Sequence, residues 1–195
     1  FTSLTNTGGV FEYINSRVVT GNITILVTGD LTNETGAVAL NAMQEEGTGA
    51  GTYTITIRPA TGVTATISGT NTSGGLLRFN SAQRVIIDGR RPGDQTGSNL
   101  TIVNNATSGS IAAIQFMGPT AFSIVPGCQR DTVRFCTIKT GLNTNTGAYG
   151  IFVGGSTVGS SGYGNSYIVL SDNVITGTYY GIRIIGLTGF PNDTI

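Results

Sequence analysis

The sequence predicts an all-β fold, a right-handed parallel β-helix opened by a short N-terminal capping helix. Three observations lead there. Short runs rich in Val, Ile and Thr alternate apolar with polar residues, the pattern of strands that bury one face. These runs recur at a nearly constant separation along the chain. Gly, Asn, Ser and Thr stand where charge would be: only 10% of the 195 residues are charged, against about 25% in an ordinary soluble domain.

The recurrence is read by aligning Leu76-Leu-Arg-Phe79, Ala113-Ile-Gln-Phe116, Gly150-Ile-Phe-Val153 and Gly181-Ile-Arg-Ile184. The second positions, Leu77, Ile114, Ile151 and Ile182, lie 37, 37 and 31 residues apart (114 − 77, 151 − 114, 182 − 151). A second strand follows in each copy at Arg84–Ile87, Thr132–Phe135 and Tyr167–Leu170, and Thr194-Ile195 opens another. A third follows at Leu100–Ile102, Cys136–Ile138 and Asn173–Ile175. Three short strands per copy predict a three-sided coil, with equivalent strands stacked in parallel and inward residues forming columns along the axis. A β-sandwich would need antiparallel hairpins every 8–12 residues or so and gives no reason for a three-dozen-residue period.

The first third is less regular. Val10-Phe-Glu-Tyr-Ile14 has the spacing of one or two amphipathic helical turns. Strands are expected at Ile23–Val27, Tyr53–Ile57 and Thr64–Ile67. An open solenoid end exposes unpaired backbone and core, so residues 8–16 are assigned to an N-terminal cap. The chain reads as one domain over 1–195, with a cap in 1–22 and coils over 23–195, continuing past 195 in a longer protein.

Ten basic and ten acidic residues cancel, so no net field draws nucleic acid or an anionic membrane. No apolar run approaches the roughly 20 residues of a spanning helix, and no membrane insertion is expected. With two cysteines and no His, no Cys/His zinc site and no other metal or cofactor is expected. Cys128 and Cys136 enclose a short loop. They form a disulfide, or Cys136 is a small core residue and Cys128 is free.

Several stretches resemble the β-helix-repeat proteins exported by Bacteroidetes, many through type IX secretion. They include Gly8-Gly-Val-Phe-Glu-Tyr-Ile-Asn15, Gly21-Asn-Ile-Thr-Ile25, Gly29-Asp-Leu-Thr32, Val38-Ala-Leu-Asn41, Thr54-Ile-Thr-Ile-Arg-Pro59, Thr66-Ile-Ser-Gly69, Arg84-Val-Ile-Ile-Asp-Gly89, Leu100-Thr-Ile102 and Val133-Arg-Phe-Cys-Thr-Ile138. The resemblance implies an extracellular or cell-surface location and adhesive roles. It supplies no catalytic residues. Under it, Asp131-Thr-Val133 and Asp193-Thr-Ile195 are similar to an O-glycosylation signal, which makes Thr132 and Thr194 candidate acceptors. Repetition of one strand entry explains both equally.

Many β-helices act on polysaccharides, so an acidic-glycan lyase or hydrolase is the alternative to a non-catalytic surface segment. Glycoside hydrolysis generally needs two carboxyl groups across the scissile bond. Glu45-Glu46 are read as a solvated loop. The densest cluster is Asp88, Arg90, Arg91 and Asp94, either a clamp for an acidic sugar or a salt-bridged turn. Asp172 is read as a turn residue.

Aromatic residues concentrate late, at Tyr149, Phe152, Tyr163, Tyr167, Tyr179 and Tyr180. Exposed tyrosines stack on sugar rings and offer hydroxyl handles, so these six are candidate ligand contacts; their alternative is packing beneath long loops. Tyr149 and Tyr180 each precede Gly-Ile and take equivalent coil positions. Phe152 stands where other copies carry Arg or Gln, and is expected to point outward under the 154–165 insertion or in a contact patch. The expected function is a non-catalytic structural or adhesive segment. Its partners are glycans or surface proteins, and its ends permit self-association into a stalk or filament.

Overall fold

The computed structural model describes residues 1–47 and 50–189. The chain opens with α1 (Val10–Asn15) and β1 (Val18–Val19), which pairs in parallel with β5 (Gln44–Glu45). It then winds into a parallel β-helix of three sheets, each five strands deep. The first sheet stacks β2 (Ile23–Val27), β6 (Ile55–Pro59), β9 (Val85–Asp88), β12 (Thr132–Arg134) and β15 (Val169–Ser171). The second stacks β3 (Leu31–Glu34), β7 (Ala65–Gly69), β10 (Leu100–Asn104), β13 (Cys136–Thr140) and β16 (Val174–Thr176). The third stacks β4 (Leu40–Asn41), β8 (Gly75–Asn80), β11 (Ile111–Met117), β14 (Ala148–Gly154) and β17 (Tyr180–Ile184).

Leu77, Ile114, Ile151 and Ile182 are direct partners on successive parallel strands. Leu40, Phe79, Phe116, Val153 and Ile184 form the adjoining column. Ile67, Ile102, Ile138 and Ile175 form the column of the second sheet. The period in the sequence is thus the length of one coil. Each fully buried Ile, Leu or Phe contributes about 1.5–3 kcal/mol of transfer free energy, so the columns dominate the fold's stability. The Phe79 and Phe116 rings stack 5.2 Å apart.

The corners explain where strands stop. Phe135 and Asp172 occupy the left-handed region at φ 54° and 55°, each turning the chain from the first sheet into the second. The strand expected over Thr132–Phe135 therefore ends at Arg134. Arg84 and Tyr167 turn into the first sheet at φ 59° and 56°, so their strands begin after them. Asp172 is a turn residue, as expected. Asparagine side chains hold coil to coil. Asn173 Oδ1 accepts the Cys136 N–H at 3.0 Å and its amide donates to the Val133 carbonyl at 2.7 Å.

At the N-terminal end α1 lies against β4, and the buried Phe11 ring meets Phe79 at 5.9 Å. Beside it, the buried Glu34 carboxylate accepts the Leu4 and Thr5 N–H groups at 2.8 and 2.7 Å, and the Ser3 hydroxyl at 2.9 Å. Helix and N-terminal strap together cover the second and third sheets. Strands β3 and β4 escape periodicity analysis because one ends on this inward carboxylate and the other is two residues long.

Cys128 and Cys136 are free and buried, which corrects the disulfide alternative. Cys136 stacks on Leu100 in the second sheet. Cys128 Sγ faces the Phe79 carbonyl at 3.2 Å, and Cys136 Sγ the Arg134 carbonyl at 3.3 Å. Each thiol fills a separate core position. Burial pushes Cys136 up to about 12 and Cys128 well above its ordinary value.

Candidate functional site

The outer face of the third sheet carries two columns. One runs Gly75, Ala112, Tyr149, Tyr180 and the other Arg78, Gln115, Phe152, Arg183. Their outward aim follows from packing: Leu76 with Leu77 and Ala113 with Ile114 both enter the main core, whereas Ala112, Tyr149, Phe152 and Val158 form a separate cluster. Phe152 does point outward, beneath the insertion that contributes Val158. It is fully buried and Tyr149 is 7% exposed, so neither offers a ring to a ligand, which corrects the expectation that both are ligand contacts. Gln115 fastens the insertion: its amide donates to the Gly155 and Ser156 carbonyls at 3.1 Å, and its oxygen accepts the Gly75 N–H at 2.9 Å.

The covered rings support an exposed edge. Tyr180 stacks on its register partner Tyr149 with centroids 5.3 Å apart and 13° between planes. Tyr149 in turn leans on Phe152 at 5.6 Å. Tyr179 meets Tyr180 edge-on at 4.8 Å. Tyr179 and Tyr180 are 48% and 39% exposed. The Arg183 guanidinium lies 5.3 Å from the Tyr180 ring and 5.6 Å from that of Tyr149. The other candidates stand elsewhere. Tyr163 packs on Phe122 at 5.4 Å, and the exposed Tyr167 sits at a corner under Arg130 at 5.8 Å. The six aromatics therefore make three separate groups and no single row.

The charged cluster is a set of internal ion pairs. Asp88, with a side chain 3% exposed, takes Arg90 as a two-pronged partner at 2.9 Å to each oxygen, and Arg134 at 2.9 Å. Arg90 also lies 4.3 Å over the Phe135 ring. Arg91 pairs with Asp94 at 2.9 Å. Burial alone would raise the Asp88 carboxyl. Hydrogen bonds from the Arg90 side chain and backbone, with the charge and hydrogen bond of Arg134, outweigh burial and hold it below its ordinary value. Glu45 is not solvated as expected: it accepts Arg84 at 2.8 Å with an 8% exposed side chain. Glu46 accepts the Tyr53 hydroxyl. These carboxylates are acceptors for their own chain. Two clefts, of about 560 and 420 Å³, lie between the cap and β2, and neither is lined by Asp88 or Asp94.

Thr132 is half-exposed on β12, but the Asp131 beside it is fully buried and inaccessible in the folded chain. Thr194 lies outside the described residues. Among the described residues no cluster of His, Cys, Asp and Glu has the makings of a metal site, and no helix is long and apolar enough to cross a membrane.

Two features escape motif analysis. Arg183 is signalled only by its place in the repeat, as the polar third position between inward Ile182 and Ile184. The loop between β11 and β12 exposes Phe122, Ile124 and Val125 at 63%, 95% and 51%. Its signal is an apolar run between Pro119 and Pro126 with no strand counterpart in the other copies. Comparison with family models, curated proteins and solved structures finds no match.

Proposed function

We propose that this chain is a non-catalytic structural and adhesive segment of an exported surface protein, with the exposed aromatic edge of its last coil as the contact surface. The observation that carries this reading is the Tyr180–Tyr149–Phe152 stack. It roots an exposed tyrosine pair on a rigid sheet, so little side-chain freedom is lost on contact. The low charge of the chain and the likeness of its repeats to exported Bacteroidetes β-helix proteins support the surface location. The pairing of Asp88 and Asp94 with arginines weighs against the glycan-cleaving alternative, because those carboxylates are already engaged.

The test is binding of the chain to arrayed glycans and immobilised surface proteins, beside a Tyr179→Ala/Tyr180→Ala variant of unchanged melting temperature. Loss of binding in the variant supports the proposal. Undiminished binding, or release of reducing ends or unsaturated sugars from acidic polysaccharides, overturns it.

A further inference from the structure

We infer that the last-coil edge is a subsite for acidic glycans, with Arg183 as the carboxylate anchor and Tyr179 and Tyr180 as the stacking platform. This rests on the contact-surface reading and adds the chemistry of its ligand. The arginines divide into three sets. Arg84, Arg90, Arg91 and Arg134 pair with acids of the chain, while Arg58 and Arg78 donate to backbone carbonyls. Arg17, Arg130 and Arg183 do neither among the described residues and lie over tyrosine rings, Arg17 and Arg130 over one each and Arg183 over two. The column of Arg183 shows the contrast. Arg78 donates to the Gly36 carbonyl at 3.1 Å, and Gln115 is closed over by residues 155 and 156.

A guanidinium whose contacts are aromatic rings is weakly hydrated. It is suited to two parallel hydrogen bonds with a carboxylate. The platform beside it is apolar on its faces and carries phenol hydroxyls at its rim, which fits a pyranose ring. A ring carboxylate of a uronic acid joins both features in one residue. A neutral sugar would use the platform and leave the guanidinium without an anion. A protein acid would reach the guanidinium on a flexible stem and leave the rings without a flat partner.

The probe is polygalacturonate, with its carboxyl-reduced form as the neutral counterpart, titrated calorimetrically against the whole chain. Binding of the acidic form is expected to weaken roughly tenfold or more in Arg183→Gln. Arg183→Lys should fall between the two, because it keeps charge and loses the planar fork. Arg17→Gln removes the arginine that stacks on Tyr13 at the other end, and should bind as the parent does. Equal affinity for the carboxyl-reduced polymer, or an Arg183→Gln change under about twofold, overturns the acidic-glycan assignment while leaving a neutral-contact surface standing. Failure to bind any arrayed glycan or surface protein overturns both. Should Arg183→Gln fail to fold, the comparison of acidic with reduced polymer still decides.

Discussion

Replacing Asp131 with Asn isolates the one buried carboxyl, among the described residues, that lacks a full set of partners. Asp131 is fully buried; Oδ1 accepts the Val85 N–H at 2.8 Å, and Oδ2 is buried without a hydrogen bond. Burial pushes the group well above its ordinary value, against the Val85 hydrogen bond and the Arg84 charge. In the unfolded chain it releases its proton near pH 3.9 or so. Because the folded value is raised, the folded state keeps a proton that the unfolded state gives up. The associated stability is fully present below about pH 4 and falls as pH rises toward the folded value, by up to about 1.4 kcal/mol per pH unit. Asn keeps the acceptor for Val85 and has nothing to ionise. Its buried NH₂ adds a cost of about 1–3 kcal/mol that is independent of pH. The diagnostic is therefore the slope: measured by urea unfolding from about pH 4 upward, the variant should gain on the parent as pH rises, until pH passes the folded value. Parallel curves for the two proteins would show that Asp131 ionises freely and that its orphaned oxygen has a partner in solution.

Two further substitutions test the opposite charge environment and the central column. Asp88 is held below its ordinary value by Arg90 and Arg134 despite burial, so its contribution is present above the unfolded pKa and disappears as pH falls through the lower folded one. Asp88→Asn should cost about 2 kcal/mol near neutrality and converge with the parent in acid; urea midpoints across pH check this, and a constant difference would be inconsistent with the ion pairs. Phe79→Ala removes a ring set between Phe11 at 5.9 Å and Phe116 at 5.2 Å. It should destabilise by about 3–5 kcal/mol and raise amide exchange in α1 first, because Phe11 loses its seat; a loss below about 1 kcal/mol would mean the cap is held by other contacts.

The architecture was readable from sequence because a solenoid repeats one local problem. An inward position filled with Leu or Ile in one coil faces the same neighbours in the next, so Leu77, Ile114 and Ile151 mark the period by themselves. Legibility fails where one residue does a different job from its counterparts. Glu34 ends β3 facing inward because the N-terminal strap supplies its donors, and no strand pattern foretells a buried acid. Phe135 reads as the last residue of a strand by its apolar character. Its left-handed φ makes it a corner, with its ring turned to Arg90. The cysteines were ambiguous for a related reason: nearness in sequence says nothing about which wall of a coil each thiol faces.

The site was half legible, and the reason is geometric. Period-2 alternation assigns each strand residue to the inside or the outside, yet says nothing about what later chain lies over the outside. Phe152 was placed on the outer face and is there, but the insertion that follows its strand removes it from solvent. The same covering turns Gln115 from a surface residue into a buried clasp. What survives as surface is set by where insertions stop. The 154–165 loop folds back over β11 and β14, leaving β17 to show Tyr180 and Arg183. Insertion length thus decides which outer faces of a uniform rod stay open to solvent. Deleting residues 156–161 should therefore expose Phe152 and Gln115, and lower stability by the burial of one large aromatic, about 2–3 kcal/mol, while the columns of the core remain in register.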